Sequence, residues 1–530
     1  MNGLVRVVRA HLVAAAALLP VRLTAQGHVH DGLGTVHFAT SCALATSQQF
    51  DRSIALLHSF EFRAAIAGLQ NVLAADSTCA MAQWGIALSL WTNPMAPGIR
   101  PPALLSRGRD AASAAKRLSV SATPRERGYI AAVATLYDDY EHRDQPSRVD
   151  AYEHAMADLV QREPADTEAK IFHAIALVAA ARPADKSYAN QLRAGATLEA
   201  LWKAQPNHPG LAHYIIHAYD VPPLASRASD AAKRYAEIAP AAAHALHMPS
   251  HTFTRLGLWE SSIDANRRSA AVALRDSSVA EALHASDYME YAYLQLRRDA
   301  EAKAVLDGLP ALAARFDPNA VTGAAPGSAG VFALAAIPAR YALERRAWAE
   351  AAALMPKTTA VAYADAMTWF ARALGAVHVK RLDDAQTAID SLAAIRDRLA
   401  SHGEPFWAEQ VAIQWLDAEA WLALANERRD VALATMREAA RREDATEKSA
   451  VSPGPLAPAR ELLGDMLLEL RRPADARAEY ERTLEKEPNR FRALDGARRA
   501  ALAAGDSRGA AAYAARLEAL TGASIRGRKP

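Results

Sequence analysis

The stretch LGDMLLELRRPADARAEYERTLEKEP, Leu463 to Pro488, decides the fold. Leu463, Gly464, Leu467, Ala476, Tyr480, Thr483 and Pro488 stand at the spacing L-G-x2-L-x8-A-x3-Y-x2-T-x4-P. Small residues at the crossing positions let two helices approach closely, and larger apolar residues one turn on fill the interface. Proline ends the second helix, because it cannot continue one. The pattern runs on in register through Leu494, Gly505 and Ala510. Upstream, 34 residues separate Pro206 from Pro240, Tyr219 from Phe253, and Ala228 from Ser262. The same interval separates HYIIH at 213–217 from HMPSH at 247–251.

A 34-residue period built from two antiparallel helices resembles the tetratricopeptide repeat. The family consensus has an aromatic where Leu467 stands and alanine where Thr483 stands. Looser copies recur at Ala65, Leu69 and Val72; at Ala302, Leu306 and Leu309; at Ala385, Ile389 and Leu392; and at Ala432, Met436 and Ala439. The likeness covers most of 46–524, strongest over 457–524 and weakest over 95–165 and 310–365. It implies an all-α, right-handed α-solenoid of roughly eleven or twelve helical hairpins, without substantial β-sheet, whose first helices line a concave groove. HFATSC at 37–42, FDRSIALLHSF at 50–60 and CAMAQWGIAL at 79–88 are similar to exported bacterial tetratricopeptide proteins of unassigned function.

A chain of 530 residues exceeds one compact core, which agrees with an extended array. A net charge of +2, with no basic stripe carrying interleaved aromatics, argues against a nucleic-acid partner. Arg6 and Arg9 precede the apolar run Leu12–Leu19 and Leu23-Thr24-Ala25, the order of a secretory signal cut after Ala25. No later segment is apolar enough to anchor in a membrane. The expected organisation is a signal peptide at 1–25, an N-terminal arm at 26–45, and a repeat block with a histidine-rich groove at 46–316. A Gly/Pro/Ser-rich linker follows at 317–330, then a central block at 331–452 and C-terminal repeats at 453–530. Export places the protein in the periplasm or outside the cell. There the two cysteines, Cys42 and Cys79, either form a disulfide or remain buried thiols.

The period changes how the histidines read. The i,i+4 spacing puts His213 and His217 on one helix face, and His247 and His251 on another. In the tetratricopeptide pattern these are positions five and nine of adjacent first helices, which commonly face the groove. His244 falls at position two, and the next repeat offers His284, Asp287 and Tyr291. Asp220, Thr254 and Arg255 fall at further groove positions. Packed helix axes lie about 8–10 Å apart, so imidazoles from both helices reach one ion at about 2.0–2.1 Å. The expected ligand set is His213, His217, His244, His247, His251, His284 and Asp287, holding a divalent transition metal, zinc first. Pro249, inside HMPSH, is expected to kink or restart its helix and to spread His247 from His251. HYIIH lacks the glutamate of the zinc-protease motif, and no nucleophile elbow, P-loop or dinucleotide fingerprint is present.

Three functions fit these residues. The first is an exported scaffold that binds a peptide or protein in its groove beside a metal or polar-ligand site. The second is a metal-dependent, hydrolase-like enzyme built on His213, His217, His247 and His251, with Glu281, Asp287 or Tyr291 moving protons. The third is periplasmic metal binding or delivery. The sequence isolates no catalytic residue, so the scaffold is the leading expectation.

Overall fold

The structure, a computed structural model, describes residues 32–96, 98–321 and 323–522. The expected signal peptide at 1–25 lies outside them. Among the described residues twelve antiparallel helical hairpins follow one another, from Ser47–His58 with Phe62–Ala75 to Phe491–Ala503 with Ser507–Thr521, and no strand occurs. The chain is an α-solenoid of tetratricopeptide-type hairpins. No helix among the described residues is long and apolar enough to cross a membrane.

One turn recurs within the hairpins and shows the repeat more plainly than any side chain. In eight of them the first helix ends in a left-handed residue: Phe60, Gly257, Arg297, Arg346, Lys380, Glu427, Arg471 and Gly505. The next amide then donates to the carbonyl five residues back, as Glu61 does to Leu56 and Arg472 to Leu467. This closure satisfies carbonyls the helix end leaves open and reverses the chain within three residues. Only two of the eight positions are glycine, so the turn is nearly invisible to a reading based on Gly.

Close approach is arranged by small residues. A Cβ on Gly464 or Gly496 would lie 2.8 or 2.4 Å from the ring of Tyr480, which is clamped between them. The described part of the arm lies along the array. Leu33, Val36 and Phe38 are buried, and Thr35 N donates to the Asn207 carbonyl at 3.0 Å. A disulfide joins Cys42 to Cys79.

The solenoid is tightly wound, so hairpins distant in sequence touch. Helix Ser47–His58 packs on Pro209–Ala218, and Trp259 Nε1 donates to the Asn489 carbonyl at 3.0 Å. Two irregular segments lie against helix Val279–Gln295. Ala325 N donates to Glu281 Oε2 at 2.7 Å, and the Tyr288 hydroxyl donates to the Ser452 carbonyl at 3.0 Å. These segments roof the histidine-rich helices.

Candidate metal centre

Helix Pro209–Ala218 carries His213 and His217, and their Nε2 atoms face each other at 3.0 Å. In the next repeat the first helix is divided. Ala243–His247 ends at Met248 and Pro249–Arg255 begins, as the proline requires. Met248 nonetheless stays in the right-handed helical region, with φ −53° and ψ −35°. His247 and His251 therefore remain on one face, with Nε2 atoms also 3.0 Å apart. The proline restarts the helix without spreading the pair.

Neighbouring helices complete two sets of three. His244 joins His213 and His217, and His284, from helix Val279–Gln295, joins His247 and His251. Within each set the nitrogens that could hold an ion lie within 4.8 Å of one another, and all six residues are buried. The sets adjoin. Rings of different sets are 5.9 Å apart for His244 and His247 and 6.4 Å for His217 and His251, while rings within a set are 4.5–6.3 Å apart.

The protons can be placed from the partners. His213 Nδ1–H donates to the His58 carbonyl at 2.6 Å, His244 Nδ1–H to Glu281 at 3.1 Å and His251 Nδ1–H to Asp220 at 2.9 Å. His247 Nδ1–H donates to Asn266 Oδ1 at 2.6 Å, and the Asn266 amide nitrogen is fixed by donating to the Ser262 carbonyl at 2.7 Å. A neutral imidazole carries one proton. In the His247–His251 pair both protons are on Nδ1, so two bare Nε2 lone pairs face each other and need a cation. His244 Nε2 and His284 Nδ1 are buried with no hydrogen-bond partner. Burial, reinforced by neighbouring imidazoles, holds His213, His217 and His247 well below the usual histidine range, and pushes His284 down to about 3. A proton is therefore a poor occupant at neutral pH. Imidazoles fixed through Nδ1 with Nε2 free are in the state a transition metal takes.

Asp220 accepts from Arg255 Nε at 2.9 Å and lies 3.6 Å from Lys448 Nζ. Although burial opposes it, these two cations and His251 hold the Asp220 carboxyl well below its ordinary range. Lys448 belongs to the irregular segment that follows helix Arg429–Ala445. Its side chain is only 6% exposed, and burial pushes it down to about 8. No local signal places Lys448 beside a residue 228 positions earlier, nor Asn266, on a second helix, beside His247. Chain winding does the first and hairpin packing the second.

The other expected positions divide. Arg255 and Asp220 brace His251. Asp287, expected among the ligands, is in neither set; it is turned toward the buried Arg340, with Oδ1 at 3.4 Å from Nε. A fully buried guanidinium needs a counter-charge. Thr254 pairs with Ser262 inside its own hairpin at 3.2 Å, and Tyr291 donates to Glu487 at 2.8 Å. Neither faces an open groove.

A third buried cluster escaped the sequence reading. His58 and His208 donate through Nε2 to the two oxygens of Glu168, at 3.0 and 2.9 Å, and His58 Nδ1 meets the Tyr214 hydroxyl at 3.1 Å. Here a carboxylate of the chain takes both protons. A small cavity borders His217, His244, His251 and His284 beside Ala324, Ala325 and Val451. A larger cleft of about 390 Å³ opens beside it, with His217, Asp220 and Lys448 on one wall and Met95, Phe406 and Trp407 on others.

No protein-family model and no curated protein matches the sequence. Among solved structures, Ypp1 is similar at 10% identity and TM-score 0.48, over 90% of this chain and 81% of that one. The human IFIT1 dimer with m7Gppp-AAAA is similar at 10% identity and TM-score 0.37, over 84% and 90%. Cut9–Hcn1 of the APC/C is similar at 10% identity and TM-score 0.32, over 91% and 88%. Likeness at this level says nothing about ligand or partner.

Proposed function

We propose that this helical-repeat scaffold is an exported metalloprotein whose two three-imidazole sets each hold a transition-metal ion. One observation carries the reading: His247 and His251 face each other through unprotonated Nε2 atoms, with both Nδ1–H groups committed elsewhere. Neutral imidazole suits zinc, copper, iron or nickel. The adjoining cleft is of small-molecule size, within the range of about 300–1,000 Å³ usual for such sites. The chain's own segments cover the histidines here, which favours a small ligand over an extended peptide. The Cys42–Cys79 disulfide supports an oxidising compartment.

Elemental analysis of untagged protein tests the reading. About two ions per chain are expected, one for each closed ligand set. Failure to retain any of zinc, copper, iron or nickel after loading and gel filtration would overturn it. Capture of a peptide in the groove would then become the leading function.

A further inference from the structure

We propose that the two sets act together as a copper pair that binds dioxygen; the inference rests on the metal-centre reading above and adds the metal and its chemistry. The ligands and the charge around them carry it. All six facing groups are imidazoles, and neither set contains a carboxylate or thiolate. The charged groups braced against them balance. Asp220 and Glu281 accept from His251 and His244. Arg255 and Lys448 stand against Asp220. Two anions and two cations cancel.

A pair of divalent zinc ions would bring four positive charges into this buried space, with neutral ligands and little compensation. Uncompensated buried charge is costly. Two copper(I) ions bring half as much, and three imidazoles with no anionic ligand suit that ion. Iron sites open to dioxygen characteristically include a carboxylate, which is absent from both sets.

The dioxygen step leaves the charge unchanged. Each copper(I) gives up one electron, and dioxygen takes both as its π bond breaks and the O–O σ bond remains. The product is two copper(II) ions with one peroxide dianion between them, and no proton is required. The charge of the pair and its ligand is +2 before and after, so the buried surroundings need not reorganise. The geometry agrees. Rings of different sets approach to 5.9 and 6.4 Å, so ions held in the two sets would be neighbours; paired-metal sites commonly hold ions about 3.5–4 Å apart. The small cavity, about 10 Å³, meets histidines of both sets and is of about the least size that holds one water.

The test uses untagged full-length protein, stripped with a chelator and titrated without oxygen against copper(I), and separately against zinc(II). The copper form is then exposed to oxygen in an oxygen-electrode cell and examined by electron paramagnetic resonance. The expected result is about two coppers per chain, about one dioxygen taken up per pair, and a product without a copper resonance signal, because adjacent copper(II) spins couple. His217→Ala and His251→Ala, one from each set, should each lose one copper, abolish uptake, and show the ordinary signal of an isolated copper(II) after chemical oxidation. Circular dichroism separates lost metal from lost fold, and the wild-type readings stand alone if a variant fails to fold. Two coppers without oxygen uptake, or a full-intensity copper(II) signal, would overturn the pair. Retention of zinc but not copper would overturn it while leaving the metal centre intact. Retention of no metal would bring down both.

Discussion

The cluster His58–Glu168–His208 and the paired sets beside it use the same side chain at the same depth and differ in where the protons go. In the first, two imidazoles donate to one carboxylate, and the His58 carbonyl supports His213 from behind. In the second, carboxylate, amide and carbonyl oxygens take the Nδ1 protons on the outside and leave nitrogen lone pairs converging inside. Buried histidine is therefore no signal of a metal. The signal is a pair of imidazoles meeting through facing lone pairs, as His247 and His251 do; an unpartnered nitrogen alone is not, since His208 Nδ1 in the first cluster has none either.

The buried histidines and Glu168 divide the acid response of the metal-free protein into two windows, the largest effect expected. His213, His217, His247, His251 and His284 are depressed in the fold chiefly by burial, and His58 likewise. A depressed histidine binds its proton more readily when unfolded. Its contribution is complete above the unfolded value of about 6.5 and is lost as pH falls toward the folded value, at up to about 1.4 kcal/mol per pH unit per group. Glu168 is held down by His208 and His58 against the opposing effect of burial. Its contribution is complete above about pH 4.3 and is lost only below it. Urea melts across pH should show loss starting near 6.5 and steepening below about 4.3. Saturating metal should flatten the upper window, because a bound ion competes with the protons. A flat profile down to pH 5 would mean that the centre is not buried as described.

Glu168→Ala should cost about 3–5 kcal/mol, the usual penalty for stripping one partner from a buried charged cluster. Metal content should stay at its wild-type level. Parallel loss of metal and stability would show that the three clusters form one site. The converse substitution, His251→Ala, removes a ligand and should weaken one ion by more than the roughly 10–100-fold typical of disturbing an outer partner. It should destabilise the metal-free protein far less than Glu168→Ala does, because it also removes one of two opposed lone pairs. Equal losses of metal-free stability in the two variants would erase the contrast.

How much of this was legible depended on the distance over which each feature is determined. Leu463, Gly464, Ala476, Tyr480 and Pro488 act within one hairpin, and so do the i,i+4 histidine pairs; spacing exposed all of them. The 34-residue period brought out His244 as well, since stacking repeats its contacts. Pro249 was judged from its local effect alone, but the next turn resumes the same helical direction at Met248 and keeps the pair together. Asp287 had the right spacing, and the buried Arg340 turned it elsewhere. Lys448, the roof at Ala324–Ala325, and Glu168 beneath His58 depend on superhelical winding and loop return, which no short pattern encodes.

Asn266→Ala offers the smallest effect and the finest test of the proton count. Asn266 touches His247 only through Nδ1 and lies in the neighbouring second helix, so its loss leaves every ligand in place. Without that acceptor, His247 is free to move its proton to Nε2. There it would donate to His251 Nε2, 3.0 Å away, and satisfy the pair without metal. The expected result is a 10–100-fold weaker affinity for the ion held by His247, His251 and His284, with the other set unchanged. Asn266→Asp restores an acceptor at the same place and should recover most of the affinity, whereas a purely structural role for the amide would leave it as damaged as alanine. Competition titration against a chelator of known affinity reads both variants. Unchanged affinity in Asn266→Ala would mean that the outer hydrogen bond does not hold the His247 proton away from the ion.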